Sequence, residues 1–527
     1  MTVPILAITA VVGLDTGPMA MFGSLIALWN TGRPLLSRLR TFGVVGLVLT
    51  ASLALGVVVA PVEWLFVPTI VVVTLVSVLA YYAFVIAPGP GPLNLFFSCA
   101  MGTYLGSHTD KGWEIVLVTA ASAACTALLS LSDLVRRPHH PEQSAVHAAR
   151  VAVERYDSLA EGAGPMAVLD ENVQGARDAA TFEVHRAWAL LRTAHGPAAT
   201  QPAHTRLEQQ LLDTEGMLAC RLITDHLPRL ERADAEPERT GSPGRPPSGQ
   251  LLRRALGQHS PARLIACRNA LAAGLAALTA QLASIGHPYW AVLSSTIVLH
   301  SGVARGPATH RALHRTVGTC LGVAVVVGIE AQHPARPAEF ALMLLGVLGM
   351  NLLLPRHYSL AVICVTLMAM MANAASDPTL RVPQLLTDRL LETAVGVCSA
   401  LFVLWMTGRR SAHHALLHQL KHTADAVDAL LDLVDANPTV SAEDQLARRD
   451  LQFELGRLQA TLTHSISDDP RLSEWRPVER AVVRTAHEAL AASWHTGPPP
   501  ATPKVGDTRT ALRMLRRELA SPVRTGR

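Results

Sequence analysis

Lysine is nearly absent from this 527-residue chain: only Lys111, Lys421 and Lys504 stand among 45 basic residues, and the rest are arginine. Charge of either sign is scarce, at 16% of residues, where a soluble domain carries about 25%. Half of the residues are apolar, which excludes a disordered chain. A formal net charge of +4 is too small to point to nucleic acid. The seven cysteines form no Cys-x-x-Cys pair. That leaves no spacing for a disulfide framework or a thiolate zinc site, and small buried hydrophobes are the expected role. No GxxxxGKS/T, HExxH, GxSxG or paired-carboxylate motif occurs. A self-contained ATP-driven pump is thereby excluded, and no catalytic residue, metal or cofactor is expected. Met1-Thr2-Val3 offers no basic n-region, so no cleavable leader is expected.

The missing charge is concentrated. No Asp, Glu, Lys or Arg occurs in 41–62, 64–109 or 115–132, nor in 269–303, 316–329, 340–355, 357–376 or 393–408. At about 1.5 Å per residue the first run reaches roughly 33 Å as a helix, enough for a hydrocarbon core of about 30 Å. Two runs are too long for one crossing. Ala87-Pro88-Gly89-Pro90-Gly91-Pro92 divides 64–109 into spans near 64–86 and 92–107, and Gly286-His287-Pro288 divides 269–303 near 287. At the start of the chain, Val3–Leu14 and Met19–Trp29 flank Asp15-Thr16-Gly17-Pro18.

The pattern occurs twice. Arg40-Thr41-Phe42-Gly43 and Arg315-Thr316-Val317-Gly318 open equivalent spans. Each follows an acid-free basic stretch, Arg33/Arg38/Arg40 or Arg305/Arg311/Arg315, and each leads through apolar spans to a basic exit, Arg136-Arg137 or Arg409-Arg410. The expected fold is all-α and polytopic. Residues 1–133 form a first six-segment transmembrane half and 253–408 a second. Residues 134–252 are a helical region with a Pro-rich linker, and 409–527 a C-terminal helical region. Bases gather on one set of loops, while Glu63, Asp110/Lys111/Glu114, Glu330/Arg336/Glu339 and Asp377/Arg381/Asp388/Arg389 fall to the other. The positive-inside rule makes the basic side, and both soluble regions, cytoplasmic in a cell membrane. Trp29, Trp64, Trp113, Trp290 and Trp405 lie near segment ends, as an interfacial aromatic belt requires.

In the soluble regions Leu207, Leu211, Leu218 and Leu222 keep helical spacing. So do Leu417, Leu420, Ala424, Val427, Leu431 and Val434 as far as Asn437-Pro438, then Leu451, Leu455, Leu458 and Leu462 after Ser441-x-x-Asp444. Two hairpins or small bundles packed on each other are expected, with a last helix near 508–520.

Three stretches carry a resemblance: Arg268-Asn269-Ala270-Leu271-Ala272-Ala273, His287-Pro288-Tyr289-Trp290-Ala291-Val292-Leu293, and Arg311-Ala312-Leu313-His314-Arg315-Thr316-Val317-Gly318-Thr319. They resemble the fusaric-acid-resistance-like family of membrane transporters, which includes aromatic carboxylic acid efflux proteins. The resemblance implies two six-helix halves, each followed by a cytoplasmic helical region, and export of small organic acids or drugs.

His287-Pro288-Tyr289-Trp290 is the best candidate site. A helix starting there exposes N–H groups that suit a carboxylate. Tyr289 and Trp290 can stack on an aromatic ring, and His287 can exchange a proton near neutral pH. The alternative is a tight turn with interfacial aromatics. Arg305, Arg311 and Arg315 form a basic collar, read either as topology and headgroup contact or as a funnel for anions. Thr316, Thr319, Asn351 and Asn373 are expected in helix–helix hydrogen bonds, Asp15 and Glu330 at helix ends, and Gly318/Gly322 and Gly346/Gly349 at close helix contacts.

The reading is an ion-gradient-driven exporter of small organic anions. A passive anion channel and a membrane-anchored scaffold or regulator are the alternatives. The expected partners are the lipid bilayer and small organic anions, without nucleic acid; self-association into a homo-oligomer stays open.

Overall fold

The computed structural model describes residues 1–29, 32, 34–84, 91–137, 139–163, 171–193, 202–224, 248–257, 260–299, 305–354, 356–376, 382–407, 410–436, 442–492, 509–510, 512–514 and 516–517. The Pro-Gly run 87–90, most of the linker 234–250, Arg33, Asp377, Arg381, Arg409, Asn437-Pro438 and Ser441 lie outside them. Among the described residues the chain is all-helical, with no strand.

The first elements are α1 (Thr2–Val12), a mixed 3₁₀/α piece α2 (Gly17–Trp29), α3 (Leu35–Val59), α4 (Phe66–Phe84), α5 (Leu93–His108) and α6 (Gly112–Arg136). There follow α7 (His140–Ala163), α8 (Glu171–Thr193), α9 (Pro202–Thr224) and α10 (Ser248–Leu256). The next set is α11 (Pro261–Leu282), α12 (Pro288–Leu299), α13 (Arg305–Glu330), α14 (Arg336–Leu353), α15 (Tyr358–Ser376) and α16 (Val382–Met406). α17 (Arg410–Ala436), α18 (Ala442–Asp468) and α19 (Arg476–Ala492) complete the described long helices. Proline marks several starts. Pro261 and Pro288 open their helices and Pro337 sits in the first turn of α14, where the missing N–H costs no hydrogen bond. α1 stops at Gly13, whose φ of 85° suits glycine.

The chain divides into two compact units. One comprises residues 1–31, 38–132 and 251–409, the other residues 32–37, 133–250 and 410–527. Among the described residues of the first unit seven helices are long and apolar enough to cross a membrane. Their outward faces are apolar too: Val44, Leu47, Val72, Leu117, Leu271, Leu345 and Phe402 are exposed. A water-soluble bundle would turn such residues inward, and here lipid is the solvent that accounts for them. Cys267, Cys320 and Cys398 are exposed on these helices as well, so they are not the buried hydrophobes expected of them. Trp64, Trp113 and Trp405 also face outward. Trp29 and Trp290 do not: both are 4% exposed, so they are packed inside the protein and take no part in an aromatic belt.

Small residues let the helices of this unit touch. Gly318 and Gly322 of α13 face Ser359, Val362 and Thr366 of α15, while Gly346 and Gly349 of α14 face Cys364 and Met368 on the same helix. α15 is thus held between α13 and α14, the role read for these glycines. Thr316 does not bond across helices; its hydroxyl donates to Ala312 O within α13 at 3.1 Å. Asn351 donates to Val347 O of its own helix and reaches Met1 Sδ, just before α1. Asp15, between α1 and α2, is exposed and paired with Arg336 and Lys111 at 2.9 and 3.4 Å.

In the second unit the leucine stripes are core. Leu207, Leu211 and Leu218 are buried with α7 and α8, and Leu420, Val427, Leu431, Leu451, Leu455 and Leu458 are buried between α17, α18 and α19. Glu215 of α9 joins the two groups, accepting from Trp188 Nε1 at 2.6 Å and from Gln452 Nε2 of α18 at 2.9 and 3.0 Å.

Candidate functional site

The first unit centres its polar chemistry on the N-terminal end of α12. The helix is short, 12 residues or roughly 18 Å, and Tyr289 through Thr296 are all buried. It packs along α16, and Gly396 is the reason. A β-carbon on Gly396 would collide with Ala291 O and come within 2.7 Å of the Ser294 side chain. With the backbones that close, the preceding two turns of α16 deliver Asp388, Arg389 and Glu392 to His287, Tyr289 and Trp290.

The sequence reading placed Asp388 and Arg389 in a loop, and the structure corrects this: both lie inside α16. Arg389 and Glu392 are fully buried within the apolar stretch Gln384–Met406. The signal was in the length. Sixteen uncharged residues, 393–408, reach only about 24 Å, short of a hydrocarbon core of about 30 Å. The span had to extend backwards through Glu392 and Arg389.

The geometry is specific. The Arg389 guanidinium stands 3.6 Å from the centre of the Trp290 ring. His287 Nδ1 lies 3.5 Å from Asp388 Oδ2 and 3.9 Å from Glu392 Oε1, and its Nε2 pairs with the Tyr104 hydroxyl of α5 at 3.2 Å. The rings of Tyr104, Phe97, Tyr289 and Trp290 pack with centroids 5.0 to 6.2 Å apart. Arg315 of α13 is buried, with Nη2 donating to Ser294 Oγ at 3.4 Å. It lies near enough to repel Arg389, with Tyr358 beside it. A cavity of about 130 Å³ adjoins the cluster, lined among others by Glu63, Tyr104, Ser107, Gln281, Pro288 and Tyr289.

Of the six residues singled out from sequence, four come together here: His287, Tyr289, Trp290 and Arg315. Arg305 does not. Its Nη2 donates to Thr407 O just past α16 at 3.2 Å, alongside Arg268 at 2.8 Å, and its guanidinium sits 5.4 Å from the Trp405 ring. Arg305 therefore neutralises a helix C-terminus. Arg38 of α3 donates to Ser130 O inside α6 at 3.0 Å. Arg311 stands apart from the cluster, near Tyr82 and Tyr358. The α12 N-terminus is not open as expected. Glu392 is close enough to feel the His287 backbone amide, and Asp388 Oδ2 lies 2.8 Å from where a Gly286 β-carbon would stand. The protein's own carboxylates occupy the place a substrate carboxylate would take. Among the described residues no group of side chains could hold a metal ion.

No curated protein and no solved structure matches the chain. The model of the family described as fusaric acid resistance protein-like matches residues 275–403, which run from α11 to α16 and include every residue of the cluster except Tyr104 and Phe97. The chain carries the apolar helices of a multi-pass membrane protein, and over residues 275–403 it is similar to the family described as fusaric acid resistance protein-like.

Proposed function

We propose that the protein exports small organic anions, aromatic carboxylates foremost, across the cell membrane, with flux tied to an ion gradient and without ATP. The observation that carries this reading is the buried set of cations and rings at the α12 N-terminus. Arg389 and Arg315 provide positive charge away from water, and Tyr289, Trp290, Tyr104 and Phe97 provide aromatic faces next to it. A benzoate-like molecule needs both. Charge buried in a membrane protein is costly and marks substrate or ion pathways. The substrate-contacting residues are taken to be His287, Tyr289, Trp290 and Arg315; Arg311, one turn before Arg315 on α13, leads anions toward them, and Arg305 serves the fold.

The arrangement in two six-segment halves is part of the proposal. Among the described residues six helical elements precede residue 137 and six run from 261 to 406, with a short second piece in each, although α1 has 11 residues where α11 has 22. A cytoplasmic location of residues 134–252 and 409–527 is part of the same reading, supported by the bias of basic residues toward one set of loops.

The test is transport of a panel of labelled aromatic acids in inverted vesicles, with and without a pH gradient. Accumulation that a protonophore abolishes supports a coupled exporter. Currents that follow the anion gradient alone would replace it with a channel, and no flux of any acid would remove the transport reading.

A further inference from the structure

Arg389 and Glu392 raise a question that a structural role does not answer. They are one helical turn apart on α16, both fully buried, about 8 and 12 Å into the stretch that begins at Gln384. None of the three Arg389 nitrogens makes a hydrogen bond, nor does either Glu392 oxygen. Buried charges built for stability are paired and satisfy their remaining donors and acceptors, because desolvation otherwise exceeds the attraction. Here Arg389 faces the Trp290 ring and Glu392 the His287 amide and imidazole, and among the described residues no ion pair within 4.0 Å joins the two. It is a charge-balanced site with unspent hydrogen-bonding capacity.

We infer that Arg389 receives the substrate carboxylate and that Glu392 takes up one proton as it does so. The inference rests on the transport reading above and adds the coupling ion and its carrier. In the empty protein Glu392 is the counter-charge of Arg389. A second carboxylate beside Arg389 would leave two anions against one guanidinium in a low-dielectric site, a repulsion that is relieved when one of them is protonated. Glu392 gains an O–H, the substrate anion takes over as counter-charge, and the net charge of the site is unchanged.

The surrounding groups fit this exchange. Asp388 is a second carboxylate on the same helix, and both it and Glu392 lie within 4 Å of His287 Nδ1. Arg315 from α13 keeps the site positive enough to hold an anion, and Tyr358 from α15 stands behind it. His287 from α12 lies between the carboxylates and Tyr104 of α5, and Tyr104 lines the cavity that reaches exposed Glu63. Tyr104 and His287 thus connect Glu392 to the cavity by groups that can each accept one proton and release another.

The experiment is benzoate binding to the purified full-length protein in detergent, with proton uptake read from titration heats in buffers of different ionisation enthalpy. Wild type is expected to take up one proton per benzoate, and its affinity to fall about tenfold per pH unit once empty Glu392 is ionised. Glu392→Gln mimics the protonated state: it should bind at high pH as wild type does at low pH, with no proton uptake. Arg389→Gln should lose binding by tenfold or more, and Arg389→Lys, which keeps the charge, should retain binding and its proton. Proton uptake that persists in Glu392→Gln, wild-type affinity in Arg389→Gln, or a folded Arg389→Lys without binding would overturn the inference while leaving transport standing. A wild-type protein that neither binds nor moves any aromatic acid removes both.

Discussion

Arg389 holds its guanidinium 3.6 Å from the centre of the Trp290 ring, and both residues are buried. A desolvated cation over an indole is stabilised by about 2 kcal/mol or more. Trp290→Leu is therefore expected to release Arg389 and lower aromatic-acid flux by tenfold or more in vesicles. Trp290→Phe keeps a ring face and should retain most of it. His287→Ala should also weaken flux with membrane insertion intact. Flux unchanged in both Trp290→Leu and His287→Ala would take this cluster out of the transport path.

Gly396 decides whether the site exists at all. A side chain there meets the Ala291 carbonyl and Ser294, and a backbone oxygen cannot rotate away as a side chain can. Gly396→Val is expected to cost about 3 kcal/mol, the upper end of overpacking, and to move Arg389 and Glu392 off α12. The control is Gly328→Ala in α13. Nothing lies within 4 Å of that position, and the change should be neutral or stabilising by under about 1 kcal/mol. Thermal unfolding in detergent compares the two, and equal midpoints would contradict the packing argument.

Particular residues show what was legible beforehand. Leu211, Leu420 and Leu455 sit at the core of the second unit as their helical spacing indicates, because water enforces that periodicity. In the first unit lipid surrounds the helices and apolar residues face both ways, so hydropathy located spans without showing their inner faces. Asp388 and Arg389 were misplaced for that reason. A charge is read as a loop residue until the length of the span is compared with the bilayer. Trp290 was misread similarly: proximity to a helix end suggested the membrane interface, whereas its neighbours Phe97, Tyr289 and Arg389 enclose it. His287, Tyr289 and Trp290 were found together because a helix break lies in their sequence.

Glu215 gives a test of how residues 134–252 and 409–527 are joined. Its buried carboxylate accepts from Trp188 and Gln452, and each hydrogen bond to a charged acceptor contributes about 1.5–3 kcal/mol. Glu215→Ala removes the buried acceptor that both donors share and should destabilise the second unit by about 3 kcal/mol. Hydrogen exchange would then rise together in α9 and α18. Exchange that rises in α9 alone would show that Gln452 is not held through this contact.

The second unit also carries a pH dependence on α19. Burial, opposed by nearby Arg177, raises the Glu479 carboxyl to about 7 from an ordinary 4.5. A raised acid stabilises the fold fully below its unfolded value and loses that contribution as pH rises through the folded one. The loss is on the order of 3 kcal/mol between pH 4.5 and pH 7. His487, two turns later, runs the other way. Burial lowers its imidazole to about 4 from 6.5, so its contribution is complete above 6.5 and disappears as pH falls through 4. The two overlap between 4.5 and 6.5, where exchange protection of α19 amides, corrected for intrinsic rate, is expected to peak. Glu479→Gln cannot ionise and should keep its protection to pH 8, whereas wild type loses it. Parallel decay of the two proteins from pH 6 to pH 8 would show that Glu479 is not the group responsible.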